Sequence, residues 1–498
     1  MPNVFQAFAD AAGARRSGLF IQDGDRRYSY ADMLDGSARA AGALREAGIG
    51  RGDRIVVQVE KSVRAVLLYL ACLRAGIVYI PLNTAYRSEE VRYFLEDAAP
   101  ALFVCTAAMR GALAEERHIP PGLETLTLEE DESGSLADAM DAARPDEVIA
   151  VCAEDDVAAI LYTSGTTGRS KGAMLTHRNL LSNVAVLAQA WRWQDDDVLV
   201  HALPIFHAHG LFVALHLSLY RATPILFHRR FDVGPVLADL ARATVFMGVP
   251  TFYVRLLKQE EFTRAHVAAM RLFVSGSAPL TEPVFAAFAD RTGQRILERY
   301  GMTEALMITS NAYAAEGRVA GSVGFPLPDI SARLARESEP GQPGVLEIKG
   351  PNVFSGYWRQ ADKTRDAFTD DGWFRTGDIA TIDGDGRVRL VGRGSDLIIS
   401  GGYNVYPKEV EMLIDDLDGV EEAAVIGVPH PDFGEAMVAI VVAGAAGIAP
   451  DAIRQALRGR IADFKMPKRV IVVDALPRNA MSKVEKAALR RRYADLFA

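Results

Sequence analysis

The chain has 498 residues, 49% hydrophobic and 24% charged, with a formal net charge of −9. That length exceeds one ordinary domain and corresponds to about three folding units, with the composition of a soluble globular protein that can bury a large core. The acidic balance, with no basic tail or charge block, argues against nonspecific nucleic-acid binding. No apolar run approaches bilayer length, and the first residues lack the apolar segment of a secretory signal. Cys72, Cys105 and Cys152 are widely spaced and form no metal or redox motif. They fit a reducing cytosol, so a cytoplasmic location is expected.

In chain order, residues 4–16 carry Val4, Phe5, Phe8 and Ala12 at helical spacing. Residues 28–47 read as a helix opened by Ser29 and ended by Gly48. A strand from Arg54, a helix over 62–75 stopped by Gly76, a strand over 77–80, a helix over 88–95 and a strand over 102–105 follow. This alternation predicts a mostly parallel sheet covered on both faces. Residues 121–149 are acidic and are expected to form a surface excursion. Val157 to Tyr162 reads as a buried strand, and Thr163-Ser164-Gly165-Thr166-Thr167-Gly168-Arg169-Ser170-Lys171-Gly172 follows it. Its glycines expose backbone N–H groups, its hydroxyls donate, and Lys171 and Arg169 add charge, a combination suited to phosphate. The same composition also fits an ordinary surface loop, and the usual Gly-Lys-Ser/Thr nucleotide signature is absent.

Thr176 is positioned to cap a helix over 177–191. His207 and His209 have no third metal ligand at useful spacing, so a pocket-lining or a structural histidine is the expectation. Arg255 follows the strand and turn at 243–250, where an arginine is ordinarily a solvated surface group. Two further strands, from Arg271 and Leu297, run into small-residue loops, and ligands in open α/β sheets bind beyond strand carboxyl ends. From about residue 320, short strands separated by Gly, Pro and Asp predict an antiparallel subdomain. The glycine-rich stretch 392–402 reads as a joint to a last domain of about 100 residues, with helices expected over 407–417, 450–463 and 484–496. Alone, Lys483 reads as a surface residue.

Five stretches in order, TSGTTGRSKG (163–172), YGMTE (300–304), RTGD (375–378), GRGSD (392–396) with GGYNVYPKEVE (401–411), and PRNAMSK (477–483), resemble the adenylate-forming superfamily. Its members are acyl-CoA synthetases, carrier-protein adenylation domains and beetle luciferases. The resemblance implies an α/β fold. A large N-terminal domain (1–392) would hold mixed, mostly parallel sheets sandwiched by helices, plus a β subdomain. A hinge at 393–397 containing Ser395 would lead to a small mobile α+β C-terminal domain (398–498), with the active site between the domains. It also implies roles. Thr163, Ser164, Gly165, Thr166, Thr167, Gly168 and Lys171 would hold the ATP phosphates. Glu304 and Thr167 would hold Mg2+. Gly276, Ser277, Glu298, Arg299, Tyr300, Gly301, Met302 and Thr303 would form the adenine and ribose pocket, with Asp378 on the ribose and Arg393 beside it. Lys483 would bridge the acid and the α-phosphate, and Ser400, Gly401, Gly402 and Tyr403 would line the coenzyme A path. Lys465, Lys468 and Arg469 are candidates for the coenzyme A phosphates. Ser395 and Ser482 depart from the residues common at those positions.

Within the superfamily, EKSVRAVLLYL, VYIPLNTAY, HALPIFHAHGLFVA, FMGVPTFYVRLL and RLFVSGSAPL resemble malonate–CoA ligases. The implied substrate is malonate or methylmalonate, its second carboxylate paired with Arg255 assisted by Ser277 and His207, because a buried carboxylate needs a cation. Small-molecule substrates, no nucleic acid, no membrane span, and a monomer or homodimer are expected. The alternatives are a ligase for a fatty, aryl or crotonobetaine-type acid, a carrier-protein adenylation domain, and an inactive nucleotide-binding homologue.

Overall fold

The computed structural model describes residues 3–164, 170–278, 280, 282–335, 343–393, 398–405, 407–444, 447–477 and 484–497. The chain divides into two compact units, one of residues 1–84, 95–161 and 172–392 and the other of residues 85–94, 162–171 and 393–498. No helix among the described residues is long and apolar enough to cross a membrane.

The first unit is built on two large sheets. One has seven strands in the order Gly356–Tyr357, Ser170–Thr176, Val157–Ser164, Val78–Pro81, Arg54–Gln58, Leu102–Cys105 and Glu124–Thr127. From Val157–Ser164 to Glu124–Thr127 the neighbours run parallel, as the strand–helix alternation predicts. Its central strands are unbroken apolar runs because both of their faces are covered; Leu102, Phe103, Val104 and Cys105 are all buried. The second sheet has nine strands in the order Phe325–Pro326, Leu306–Ser310, Leu297–Met302, Leu272–Ser275, Val245–Gly248, Leu199–His201, Ile225–Phe227, Leu19–Asp23 and Arg26–Ser29. Its interior pairs are parallel and its edges antiparallel.

The helices Val4–Ala14, Tyr30–Glu46, Val63–Ala75, His177–Ala190 and His216–Arg221 pack on one another, burying Phe5, Phe8, Tyr69, Leu180 and Phe212 in one core. Their ends are written locally. Ser29 with Asp32 and Thr176 with Asn179 form capping boxes, and Gly76 at φ 69° ends its helix. The antiparallel subdomain appears as Ser331–Leu334, Gly344–Lys349, Phe374–Ile382 and Val388–Arg393.

Residues 121–149 are not the expected surface excursion. They supply the edge strand Glu124–Thr127 and the helix Ser135–Ala142, and Leu128, Leu136, Ala137 and Met140 are buried. The acidity misleads because one acid is structural. Glu132, at φ 72°, accepts a hydrogen bond from the Val63 N–H at 2.8 Å. Its charge lies at a helix N-terminus and is also paired with Arg26 at 3.1 Å.

In the second unit, Val420–His430 and Gly434–Ala443 form the longest hairpin, extended by Ile398–Ser400 with Tyr403–Val405 and by Arg469–Val473. Alternation along Val420–His430 sends Val425 to one core with Ile414 and Ile453, and Ala424, Ile426 and Val428 to another with Leu489. The helix expected to reach residue 463 stops at Leu457, and the last helix spans only Lys486–Arg492.

Candidate active site

Four parallel strands of the nine-stranded sheet, Leu199–His201, Val245–Gly248, Leu272–Ser275 and Leu297–Met302, place their carboxyl ends along one edge, with Gly248 opposite Ser275 and Ser275 opposite Glu298. The segments bearing His207, Arg255, Ser277 and Thr303 leave from that edge, which is where ligands bind in open α/β sheets.

Arg299 is 3% exposed, and its Nε and Nη2 have no hydrogen-bond partner among the described residues. Burial lowers its pKa to about 9. Gly276 makes its position possible, since a Cβ there would stand 2.3 Å from the guanidinium carbon. Around this cation stand neutral groups. The Nδ1 of His209 is 3.3 Å from the Ser277 hydroxyl, and its buried Nε2 has no hydrogen-bond partner among the described residues. Burial, and then the charge of Arg299, hold both His207 and His209 below the ordinary histidine range. Ser277 itself sits at φ 70°, a conformation rarely adopted by a residue with a side chain. The cluster offers one desolvated cation, a hydroxyl and two imidazoles, and no carboxylate among the described residues forms an ion pair with it. Such a cation is costly unless an anion arrives.

Beside it, the Tyr300 hydroxyl donates to Asp378 Oδ2, and Asp378 is buried. Glu298 accepts from the Leu280 N–H at 3.1 Å, while its other oxygen has no partner among the described residues and burial raises its pKa to about 7. Glu304 lies in the turn joining Leu297–Met302 to Leu306–Ser310, and its Oε1 accepts from the Tyr357 hydroxyl at 3.1 Å. No group of three or more His, Cys, Asp or Glu that could hold a metal occurs among the described residues.

Thr163 and Lys171 are half-buried and flank the gap between the neighbouring strands Val157–Ser164 and Ser170–Thr176. Gly165, Thr166, Thr167, Gly168, Ser395, Ser482 and Lys483, and the side chains of Ser164 and Arg393, lie outside the described residues.

In the second unit, Gly401 and Gly402, at φ 59° and 83°, turn the chain so that Ser400 pairs with Tyr403. Tyr403 stacks on Phe464 at 4.5 Å. Lys465 does not fit the coenzyme A phosphate role expected for it. It is 2% exposed and held between Glu90 at 2.9 Å and Glu409 at 2.7 Å. Lys468 lies over the Phe433 ring at 4.8 Å.

The Arg255 side chain, on the helix Pro250–Leu257, is exposed, as an arginine at such a place ordinarily is. The resemblance implies an adenine-pocket role for Arg299, and the fold adds that this side chain is a desolvated cation.

The AMP-binding enzyme family model matches residues 7–358, and the AMP-binding enzyme C-terminal domain model matches residues 409–483. The chain is 48% identical to ATP-bound MatB from Rhodopseudomonas palustris, with 100% of both chains covered and a TM-score of 0.77. It is 37% identical to a feruloyl-CoA synthase of Amycolatopsis sp, with 95% of each covered. It is 32% identical to a malonate–CoA ligase of Arabidopsis thaliana, covering 98% of this chain and 88% of that one. The chain therefore belongs to the AMP-binding enzyme family, and it is an adenylate-forming acyl-CoA ligase.

Proposed function

We propose that the protein adenylates malonate, with methylmalonate as a second substrate, and passes the acyl group to coenzyme A. The observation that carries this is the buried guanidinium of Arg299, whose Nε and Nη2 have no hydrogen-bond partner among the described residues, beside His209 and Ser277. A dicarboxylic acid brings the missing anion, since one carboxylate reacts and the other can pair with Arg299. An aryl acid such as ferulate brings no second carboxylate and would leave the cation unpaired. Arg255, already solvated, adds at most a screened attraction.

In the first step a carboxylate oxygen bonds to the α-phosphorus of ATP and pyrophosphate leaves. In the second the coenzyme A thiol, giving up its proton, attacks the acyl carbon and AMP leaves. The difficulty is bringing anions together, so fixed positive charge and positioning carry the catalysis. Lys483 bridges the acid and the α-phosphate, and Lys171 with the hydroxyls of residues 163–167 holds the other phosphates. Asp378, fixed by Tyr300, takes the ribose. Magnesium needs hard oxygen ligands; Glu304 and the Thr167 hydroxyl would hold it, and it would supply charge neutralisation at the phosphates. Residues 393–397, with Ser395, form the joint between domains 1–392 and 398–498, and residues 400–403 line the thiol path.

AMP release with malonate, methylmalonate, succinate, acetate, octanoate, ferulate and benzoate, with and without coenzyme A, tests the substrate. Malonate should give the highest kcat/KM; a preference for ferulate or octanoate refutes the reading. Arg299→Met should raise KM for malonate about 100-fold, the scale of removing one partner of a buried charge pair. Arg255→Ala should change it less than about threefold. Lys483→Ala should abolish malonate-dependent pyrophosphate release yet spare thioester formation from supplied malonyl-adenylate.

A further inference from the structure

Lys61, between the strand Arg54–Gln58 and the helix Val63–Ala75, is buried and forms no ion pair among the described residues. Its Nζ lies 2.8 Å from His201 Nδ1, 2.8 Å from the His201 carbonyl and 2.7 Å from the His228 carbonyl. The Phe227 ring is 4.3 Å away.

Counting fixes the protons. His201 Nε2 is 2.9 Å from the Gly210 carbonyl, which only accepts, so Nε2 carries the ring proton. Nδ1 then offers a lone pair in the neutral ring, which burial favours. All three neighbours of Nζ are acceptors, and only an ammonium has three protons to give them. Burial pulls the lysine well below its ordinary range, and three acceptors with an aromatic face oppose that pull.

What this cation holds is specific. His201 ends the strand Leu199–His201, and His228 directly follows Ile225–Phe227, its parallel neighbour, with Phe227 opposite His201. Lys61 fastens these two strand ends. Through the His201 ring it also fastens Gly210, in the first turn of the π-helical segment His209–Leu215. The turn has no slack, because a Cβ on Gly210 would stand 2.0 Å from the Pro204 carbonyl. The span between the two fixed points carries His207 and His209. A π-helical turn of this kind often marks a functional place.

We infer that Lys61 is a positioning residue for the acid subsite: acting through His201, it holds the segment bearing His207 and His209 against Ser277 and Arg299, and so governs affinity for the acid but not for ATP. This rests on the assignment of Arg299, His209 and Ser277 to the acid.

The test uses the full chain with Lys61→Met, His201→Leu and the double variant, varying acid and ATP separately. Each single variant should raise KM for the acid at least tenfold, and the double variant should raise it no further. KM for ATP and kcat should stay within twofold. His201→Gln, which keeps a donor for Gly210 and an acceptor for Lys61, should restore most of the affinity. Equal rises in both KM values, a fall in kcat alone, or additive effects in the double variant would overturn the inference. Should Lys61→Met fail to fold, the contrast of His201→Gln with His201→Leu decides the same point. If the wild-type enzyme prefers another acid, the malonate reading falls, and Lys61 is judged on the KM of the preferred acid.

Discussion

Arg255 and Arg299 are the same side chain in two media, and the medium decides what each can do. Water already screens Arg255, whereas Arg299 has lost its hydration and has no counter-ion among the described residues. Gly276→Ala should therefore mimic loss of Arg299 without removing it, because the added Cβ must displace the guanidinium; KM for malonate should rise at least about tenfold while the protein stays folded, on the scale of a displaced charged hydrogen bond. Buried titrating groups act on stability instead. His177 is buried, its Nδ1 accepts from the Val4 N–H at 3.3 Å, and burial lowers its pKa to about 4. The unfolded ring takes a proton near pH 6.5 and the folded ring does not. Its contribution is thus complete above pH 6.5 and is lost as pH falls towards 4, up to about 3 kcal/mol. His177→Gln should flatten that limb of a denaturant-midpoint titration. Glu298 has the opposite sign. With a folded pKa raised to about 7, it favours the fold below pH 4.5, and the benefit is lost as pH rises towards 7.

Elements whose ends are fixed by neighbours in sequence were legible. Ser29 and Thr176 cap the helices they precede, and Gly76 ends its helix, because each interaction closes within three or four residues. Arrangements closed by distant partners were not. Glu132 reads as one acid among many, and only the fold brings it to Val63, Arg26 and Arg229. Glu132→Ala should destabilise by about 2 kcal/mol in urea melts, since it strands a helix N–H and a half-buried arginine. The π-helical turn was equally hidden, because its extra residue is dictated by packing of Gly210 on Pro204 and not by any local residue preference. The site follows the same division. Thr163, Tyr300, Glu304 and Asp378 stand in contiguous motifs and Arg299 directly precedes one, whereas the desolvation of Arg299 and Lys61 comes from burial that no motif records.

Across the whole chain, the strand–helix alternation foretold the parallel sheets and the turn-rich stretch after residue 320 foretold the antiparallel one. The grouping of residues 85–94 with the C-terminal part had no counterpart in the sequence reading. Its physical basis is Lys465, buried between Glu90 and Glu409, with Arg87–Asp463 and Glu89–Arg460 around it. Lys465→Met should leave two half-buried carboxylates facing each other, destabilising this unit by about 3 kcal/mol in a melt that follows Tyr403 fluorescence. A hybrid enzyme spliced within residues 392–402 would inherit only half of this ionic knot. Grafting a foreign C-terminal portion onto this chain should give a stable product only when the donor's equivalent of residues 85–94 travels with it.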